Sequence, residues 1–256
     1  MLRRVSPIIN TVFGNLDLHI EKYGYATKKM SPDDLEIVRN LIKANYLKRL
    51  ETLGQGIYTK FQNLPMDSYH EESQQIDHSQ TWPQSDRFLS KDDVTEIKKL
   101  NFFKNLQSEF GNFVVLDIDN NGWESFVWRI VRPQTLTDPA PIHADYWFNE
   151  IGAIVDAPAG THRVKAWIAI YCEYGNGGIG FLPMSHIKTW PFHAEEINGV
   201  KKPRHDISPV PEVEPFLSNP GDMFIFHDRL LHCGLPSDKK TRFSLEFTMY
   251  VKNQIS

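Results

Sequence analysis

His143 and Asp145 stand two residues apart in Pro141-Ile142-His143-Ala144-Asp145. In an extended strand alternate side chains share a face, so imidazole and carboxylate would point one way and Ile142 and Ala144 the other. A histidine nitrogen beside a carboxylate oxygen can chelate a divalent cation from one side and leave its other positions open. A second histidine would complete the two-histidine, one-carboxylate set that holds non-haem Fe(II). With ten histidines in the chain, one His-x-Asp carries little weight alone. His-x-Glu occurs at His19, His70 and His193, each without the supporting residues described next.

Two histidines compete for the remaining ligand position, His227 and His232. Pro220-Gly221-Asp222 reads as a turn and Met223 to Phe226 as a buried strand. His232 ends the apolar pair Leu230-Leu231 and precedes Gly234, whose small size lets a ligand sit close to the backbone. His232 is therefore the expected ligand, and His227 is read as shaping the strand end. Pro236 to Lys240 form a polar turn, and Arg242 opens the last strand. An antiparallel hairpin would return Arg242 to the pocket near His232. A guanidinium there could grip the far carboxylate of a dicarboxylate through two hydrogen bonds, which lysine could not reproduce. Ser244, two residues on, would add a hydroxyl from the same side.

The elements that must position these groups fall into two halves. Residues 18–30 read as a short strand bent at Gly24. Ser31-Pro32-Asp33-Asp34 carries helix-start residues, and Leu35, Val38, Leu41 and Ile42 recur at helical spacing, so a helix is expected from about 32 to 50. Residues 63–88 are polar and aperiodic and read as a long loop. Ser90 opens a second helix, expected to run to about Phe110. After Gly111, the stretches 113–118, 125–131, 164–172, 179–182, 223–227 and 242–251 are short, aromatic and β-branched, with Gly, Pro, Asn and Asp between them. This spacing predicts an all-β sandwich or jelly roll with the helices on one outer face, the whole forming a single catalytic domain over 1–256.

Composition bounds the partners. A net charge of −4 argues against general nucleic-acid binding. Two cysteines, Cys172 and Cys233, imply no disulfide framework. Arg3 and Arg4 are followed by no apolar run long enough for a signal peptide or membrane span. The expectation is a cytoplasmic protein acting on a small molecule, its oligomeric state left open.

His143, Asp145, His232 and Arg242 match, in order and spacing, the motif of the phytanoyl-CoA dioxygenase-like family of Fe(II)/2-oxoglutarate-dependent dioxygenases, which the chain resembles over roughly residues 18–250. VKAWIAIY resembles the strand whose tryptophan lies beside 2-oxoglutarate, which maps to Trp167. Asn176-Gly177-Gly178 and Pro183-Met184-Ser185-His186 resemble a further segment, with Met184 where glycine is usual. The resemblance implies a double-stranded β-helix, the cupin-like jelly roll. It implies Fe(II) on His143, Asp145 and His232, with 2-oxoglutarate and O2 as cosubstrates and Arg242, Ser244 and Trp167 around the 2-oxoglutarate. The implied reaction is hydroxylation coupled to release of succinate and CO2. Relatives that halogenate replace the carboxylate, so Asp145 implies oxygenation.

Residues 146–163 follow the metal motif and would overhang the iron. Tyr146, Trp147, His162 and Arg163, with Arg129 from a neighbouring segment, are the candidate substrate contacts. Arg129, Arg132, Arg163 and Lys165 would suit an anionic substrate such as an acidic sugar, a carboxylate or a natural-product intermediate. Two other classes are weighed against this reading. A Zn(II) hydrolase could use the same ligands but gives Arg242 no purpose, and a non-catalytic jelly-roll binding protein could keep them without turnover.

Overall fold

The computed structural model describes residues 16–118, 120–154, 156–197 and 199–253, so Arg3 and Arg4 lie outside it. Leu16 and Ile20, one helical turn apart, are both fully buried in α1 (Leu16–Tyr23). Gly24, at φ +87°, ends the helix and β1 (Tyr25–Lys29) follows. The single strand expected over 18–30 is thus a helix and a strand, because the i, i+4 spacing of its first apolar pair is helical. A Cβ on Gly24 would lie 2.5 Å from His186 Nδ1, so the bend requires glycine for room as well as for φ.

The predicted first long helix forms as α2 (Pro32–Glu51). Ser31 Oγ accepts the Asp34 amide at 3.1 Å. Leu35, Val38, Ile42, Tyr46 and Leu50 form its buried stripe. The stretch expected as a loop over 63–88 is largely built into the core. After α3 (Gln55–Asn63), which precedes that stretch and buries Phe61, α4 (Tyr69–Glu72), α5 (His78–Thr81) and intervening 3-10 turns bury Met66, Tyr69 and Trp82. Trp82 stacks on Tyr46 at 5.0 Å. Helices of a single turn leave no readable period, and their few anchors are lost among polar residues. The helix expected over 90–110 is two, α6 (Lys91–Ile97), begun by a Ser90–Asp93 capping box, and α7 (Asn101–Phe110). The Phe102 amide donates to Asp34 at 2.8 Å, fastening α7 to the start of α2.

The remainder comprises β2 (Val114–Val115), β3 (Val127–Val131), the short helix α8 (Tyr146–Glu150), β4 (Thr161–Tyr171) and β5 (Gly178–Phe181). Then come β6 (Phe192–Ile197), β7 (Val200–His205), β8 (Glu214–Pro215), β9 (Asp222–His227), β10 (His232–Leu235) and β11 (Arg242–Lys252). A large antiparallel sheet has the order β1-β9-β4-β11-β2, with β3 also on β11; a small one runs β10-β5-β8; β6 and β7 pair alone.

Period-two alternation assigns the faces. Val164, Ala166, Ile168 and Ile170 of β4 and Phe243, Leu245, Phe247 and Met249 of β11 pack with the helices. Trp167, Ala169, Phe224 and Phe226 point the other way, against Ile179 and Phe181 of the small sheet. The two sheets therefore face each other with helices over the outside of the larger, as expected for a jelly roll. Among the described residues the strands form open sheets, not a closed barrel.

Two local expectations are corrected. Pro141 to Asp145 is not a strand: His143 makes one isolated antiparallel bridge to His232, and Asp145 is the N-cap of α8. β10 and β11 are not a hairpin. β10 pairs with β5, and the chain then crosses to the other sheet, so Arg242 meets the pocket from the opposite wall.

Candidate active site

His143 and His232 exchange both backbone hydrogen bonds, each at 2.9 Å, which brings their rings to a centroid separation of 4.3 Å. Each ring is aimed by its own backbone. The Nδ1 of His143 bonds the Pro141 carbonyl at 2.8 Å, and that of His232 bonds the Leu230 carbonyl at 2.9 Å. A carbonyl can only accept, so both Nδ1 atoms carry hydrogen and both Nε2 atoms present lone pairs. Those Nε2 atoms lie 3.5 and 3.9 Å from Asp145 Oδ1. Ligand atoms from the three residues all lie within 4.8 Å of one another, and among the described residues no other such group of histidine, cysteine and carboxylate side chains forms. Two neutral imidazoles and a carboxylate converging from one side fit a divalent metal with open positions.

The protonation preferences agree. Burial, followed by the neighbouring His143, pushes His232 down to about 3 and keeps it neutral. Burial alone would raise Asp145, but the Lys165 cation, with His232 and His143, holds its carboxyl far below the usual range.

Across the pocket, Arg242 is 5 % exposed. Among the described residues no carboxylate lies within ion-pair distance of it and its Nε has no hydrogen-bond partner; burial, opposed by the more distant charge of Glu246, pushes it down to about 10. Its nearest companions are Ser244 Oγ at 3.5 Å and the Trp167 ring at 5.6 Å. A buried guanidinium without a counter-ion is costly unless a ligand supplies one, and a dicarboxylate does. Arg242 and Ser244 share a face of β11, and Trp167 projects from the adjoining β4, so all three wait on one wall.

The candidate substrate residues separate. Tyr146, His162 and Arg163 line a cleft of about 530 Å³ with Asn149 and Asp228, and no member of the His143–Asp145–His232 group borders it. Tyr146 lies under the Arg229 guanidinium, 4.8 Å from its ring centre. His162 is tied to Asp17 at 2.8 Å and Asn253 at 3.0 Å, and Arg163 donates to Asn149 at 3.0 Å. Trp147 is fully buried and stacked on Phe192 at 4.9 Å, a core position rather than a pocket wall. Arg129 pairs with Glu246 at 3.4 Å. His227, the alternative ligand, pairs with Asp228 and Glu21 outside the group.

Two supporting residues escaped the reading of the sequence. Ser185 Oγ accepts the Leu231 amide at 2.8 Å, next to His232. The preceding Met184 adopts φ +60°, which explains why glycine is usual there. Glu246 lies on the same β11 face as Arg242 and Ser244; the period of two from Arg242 was the signal that could have found it.

The sequence pattern of the family described as phytanoyl-CoA dioxygenase (PhyH) matches residues 37–243. Among solved structures, the apo non-haem monooxygenase ThoJ superposes with a TM-score of 0.55 at 12 % identity, and its nickel complex with 0.51 at 14 %. Each alignment covers 92 % of this chain and 77 % of the other. The non-haem alpha-ketoglutarate-dependent carbocyclase SnoK from nogalamycin biosynthesis gives 0.51 at 11 %, covering 94 % of this chain and 85 % of its own. At these identities the likeness is one of fold. No curated protein sequence matches the chain.

Proposed function

The chain belongs to the phytanoyl-CoA dioxygenase family and is a non-haem iron- and 2-oxoglutarate-dependent oxygenase; from that premise we propose that it hydroxylates an aliphatic C–H bond of a polar, anionic small molecule. We read the chain as one catalytic domain. His143, Asp145 and His232 hold the iron, and Arg242, Ser244 and Trp167 hold 2-oxoglutarate. The observation that carries the assignment is the buried guanidinium of Arg242, without a carboxylate partner, facing the pocket opposite the converged Nε2 and Oδ1 atoms.

When bound, iron and 2-oxoglutarate supply oxidative decarboxylation to succinate and CO2, coupled to oxygen transfer. The chain's own residues bind and orient. The two histidines present Nε2 lone pairs fixed by their Nδ1 bonds, and Asp145 presents Oδ1. Arg242 and Ser244 meet the far carboxylate, and Trp167 walls that end of the pocket. Phe224 and Phe226 exclude water from the buried side. The anionic class is our reading of Arg163 and Arg229, which line the cleft of Tyr146 and His162 together with the carboxylates Glu150, Asp156 and Asp228.

The reading is tested in two stages. Anaerobic addition of Fe(II) and 2-oxoglutarate should produce a visible metal-to-ligand charge-transfer band that Zn(II) does not. Succinate release should then be stimulated by acidic sugars, carboxylates or phosphorylated compounds. If iron binds and the band is absent, the cosubstrate assignment fails; stimulation by neutral apolar compounds alone would reject the anionic class.

A further inference from the structure

Lys165 keeps only 16 % of its side chain exposed, little for a lysine, and lies between two carboxylates. Its Nζ lies 3.3 Å from Asp145 Oδ2 and 3.4 Å from Glu246 Oε2, with no more than 16 % of any of the three side chains exposed. Glu246 Oε2 in turn lies 3.4 Å from Arg129 Nε. The four groups form an alternating chain, Arg129–Glu246–Lys165–Asp145, whose formal charges cancel. Asp145 meets both neighbours unevenly: Oδ1 lies 3.5 and 3.9 Å from the Nε2 atoms of His143 and His232 and 3.5 Å from the ammonium, whereas Oδ2 has the ammonium alone, at 3.3 Å.

The backbone makes this arrangement rigid. Lys165 and Trp167 project from the same face of β4, and Glu246 from the same face of β11, with Trp167 and Glu246 directly paired in register. Lys165 also aligns with Phe226 on its other side, so it sits between two neighbouring strands of the large sheet. The carboxylate, by contrast, belongs to the N-cap residue of a five-residue helix after a single bridge, makes no capping hydrogen bond there, and leaves Oδ2 without a hydrogen bond. Its orientation is supplied from the opposite sheet.

We infer that Lys165 is a positioning residue that holds Asp145 to one-oxygen coordination, and that Glu246, anchored by Arg129, keeps the ammonium in place for that purpose. The consequence is a matter of counting positions. A carboxylate giving both oxygens would fill a position that a chelating cosubstrate or the open site requires. A cation on the outer oxygen prevents this, and outer partners of this kind govern metal-site properties as strongly as many ligands do. The same chain explains why Arg242 remains available to a ligand: Glu246, the carboxylate whose charge acts on it, is already engaged by Lys165 and Arg129. The inference rests on the three ligands proposed above.

The test uses the Co(II)-substituted full-length protein, whose visible d–d band weakens as coordination number rises. Lys165→Met should weaken that band and reduce 2-oxoglutarate affinity about tenfold or more. Lys165→Arg should restore both, and Glu246→Gln should produce an intermediate effect. An unchanged band and unchanged affinity in Lys165→Met would overturn the inference. Should that variant fail to fold, the wild-type protein decides: a crystal structure with Ni(II) alone should have Oδ1 on the metal and Oδ2 on Lys165 Nζ. Both Asp145 oxygens on the metal, with the ammonium withdrawn, would overturn it. If the wild type binds neither metal at His143, Asp145 and His232, it is the site assignment itself that fails.

Discussion

His143 and His232 form a reciprocal backbone pair, each amide donating to the other's carbonyl at 2.9 Å, although 89 positions separate them in the sequence. Main-chain bonds, not a metal, bring these imidazoles together. Replacing either side chain with alanine should therefore leave the thermal unfolding of the metal-free protein nearly unchanged. Metal affinity, read by titration with Ni(II), should fall by more than about 100-fold, beyond the loss usual for an outer partner. A large drop in metal-free stability would mean that the rings also carry the fold.

Arg242 should separate function from stability. Arg242→Met removes a buried cation without a close counter-ion, so the protein free of 2-oxoglutarate should gain about 1–2 kcal/mol in urea unfolding. The same variant should raise the 2-oxoglutarate KM about 100-fold, and Arg242→Lys should recover little of that, since an ammonium cannot give the paired contact. A stabilised variant with an ordinary KM would place the dicarboxylate elsewhere.

Trp147 was a candidate substrate contact and lies in the core, stacked on Phe192 at the base of the β6–β7 pair. Trp147→Ala should cost about 3–5 kcal/mol by denaturant unfolding. A stable variant with altered substrate preference would return Trp147 to the pocket.

His162 gives a pH signature. Burial works to lower its pKa, but hydrogen bonds with Asp17 and Asn253 and the charges of Asp17 and Glu21 raise it above the ordinary 6.5. The folded state thus holds the proton more tightly than the unfolded one. The stabilisation is full below the unfolded value and disappears as pH rises through the folded value. Unfolding temperature followed from about pH 6 to 9 should fall in the wild type and flatten in Asp17→Asn. Equal slopes in the two proteins would remove the pair from the account.

The chemistry was more legible than the path of the chain. The convergence of His143, Asp145 and His232 could be anticipated because metal coordination needs particular residue types, and Arg242 was singled out by its place on the strand after His232. The expected strand through Pro141–Asp145 gave the correct common aim of two side chains from the wrong backbone, since a helix N-cap can turn Asp145 the same way. The hairpin expected between His232 and Arg242 failed because the short turn at 236–240 joins two sheets, and local turn residues do not report which partner a strand will choose. The short helices at 55–81 lay below the length at which periodicity can be seen. The meeting of Lys165 with Glu246 and Asp145 depends on register between strands far apart in sequence, which composition and spacing do not encode.

The two ends of the proposed 2-oxoglutarate site belong to opposite walls. His232 begins a strand of the small sheet, while Arg242 begins one of the large sheet, and the walls are held apart by contacts such as Phe181 on Phe224 at 4.8 Å. The thickness of the sandwich is consequently a ruler for the carbon chain between the two ends of the dicarboxylate. A 2-oxoacid one methylene shorter or longer would not match that gap, so on the proposed reading chain-length selectivity would depend on the aromatic spacers between the sheets.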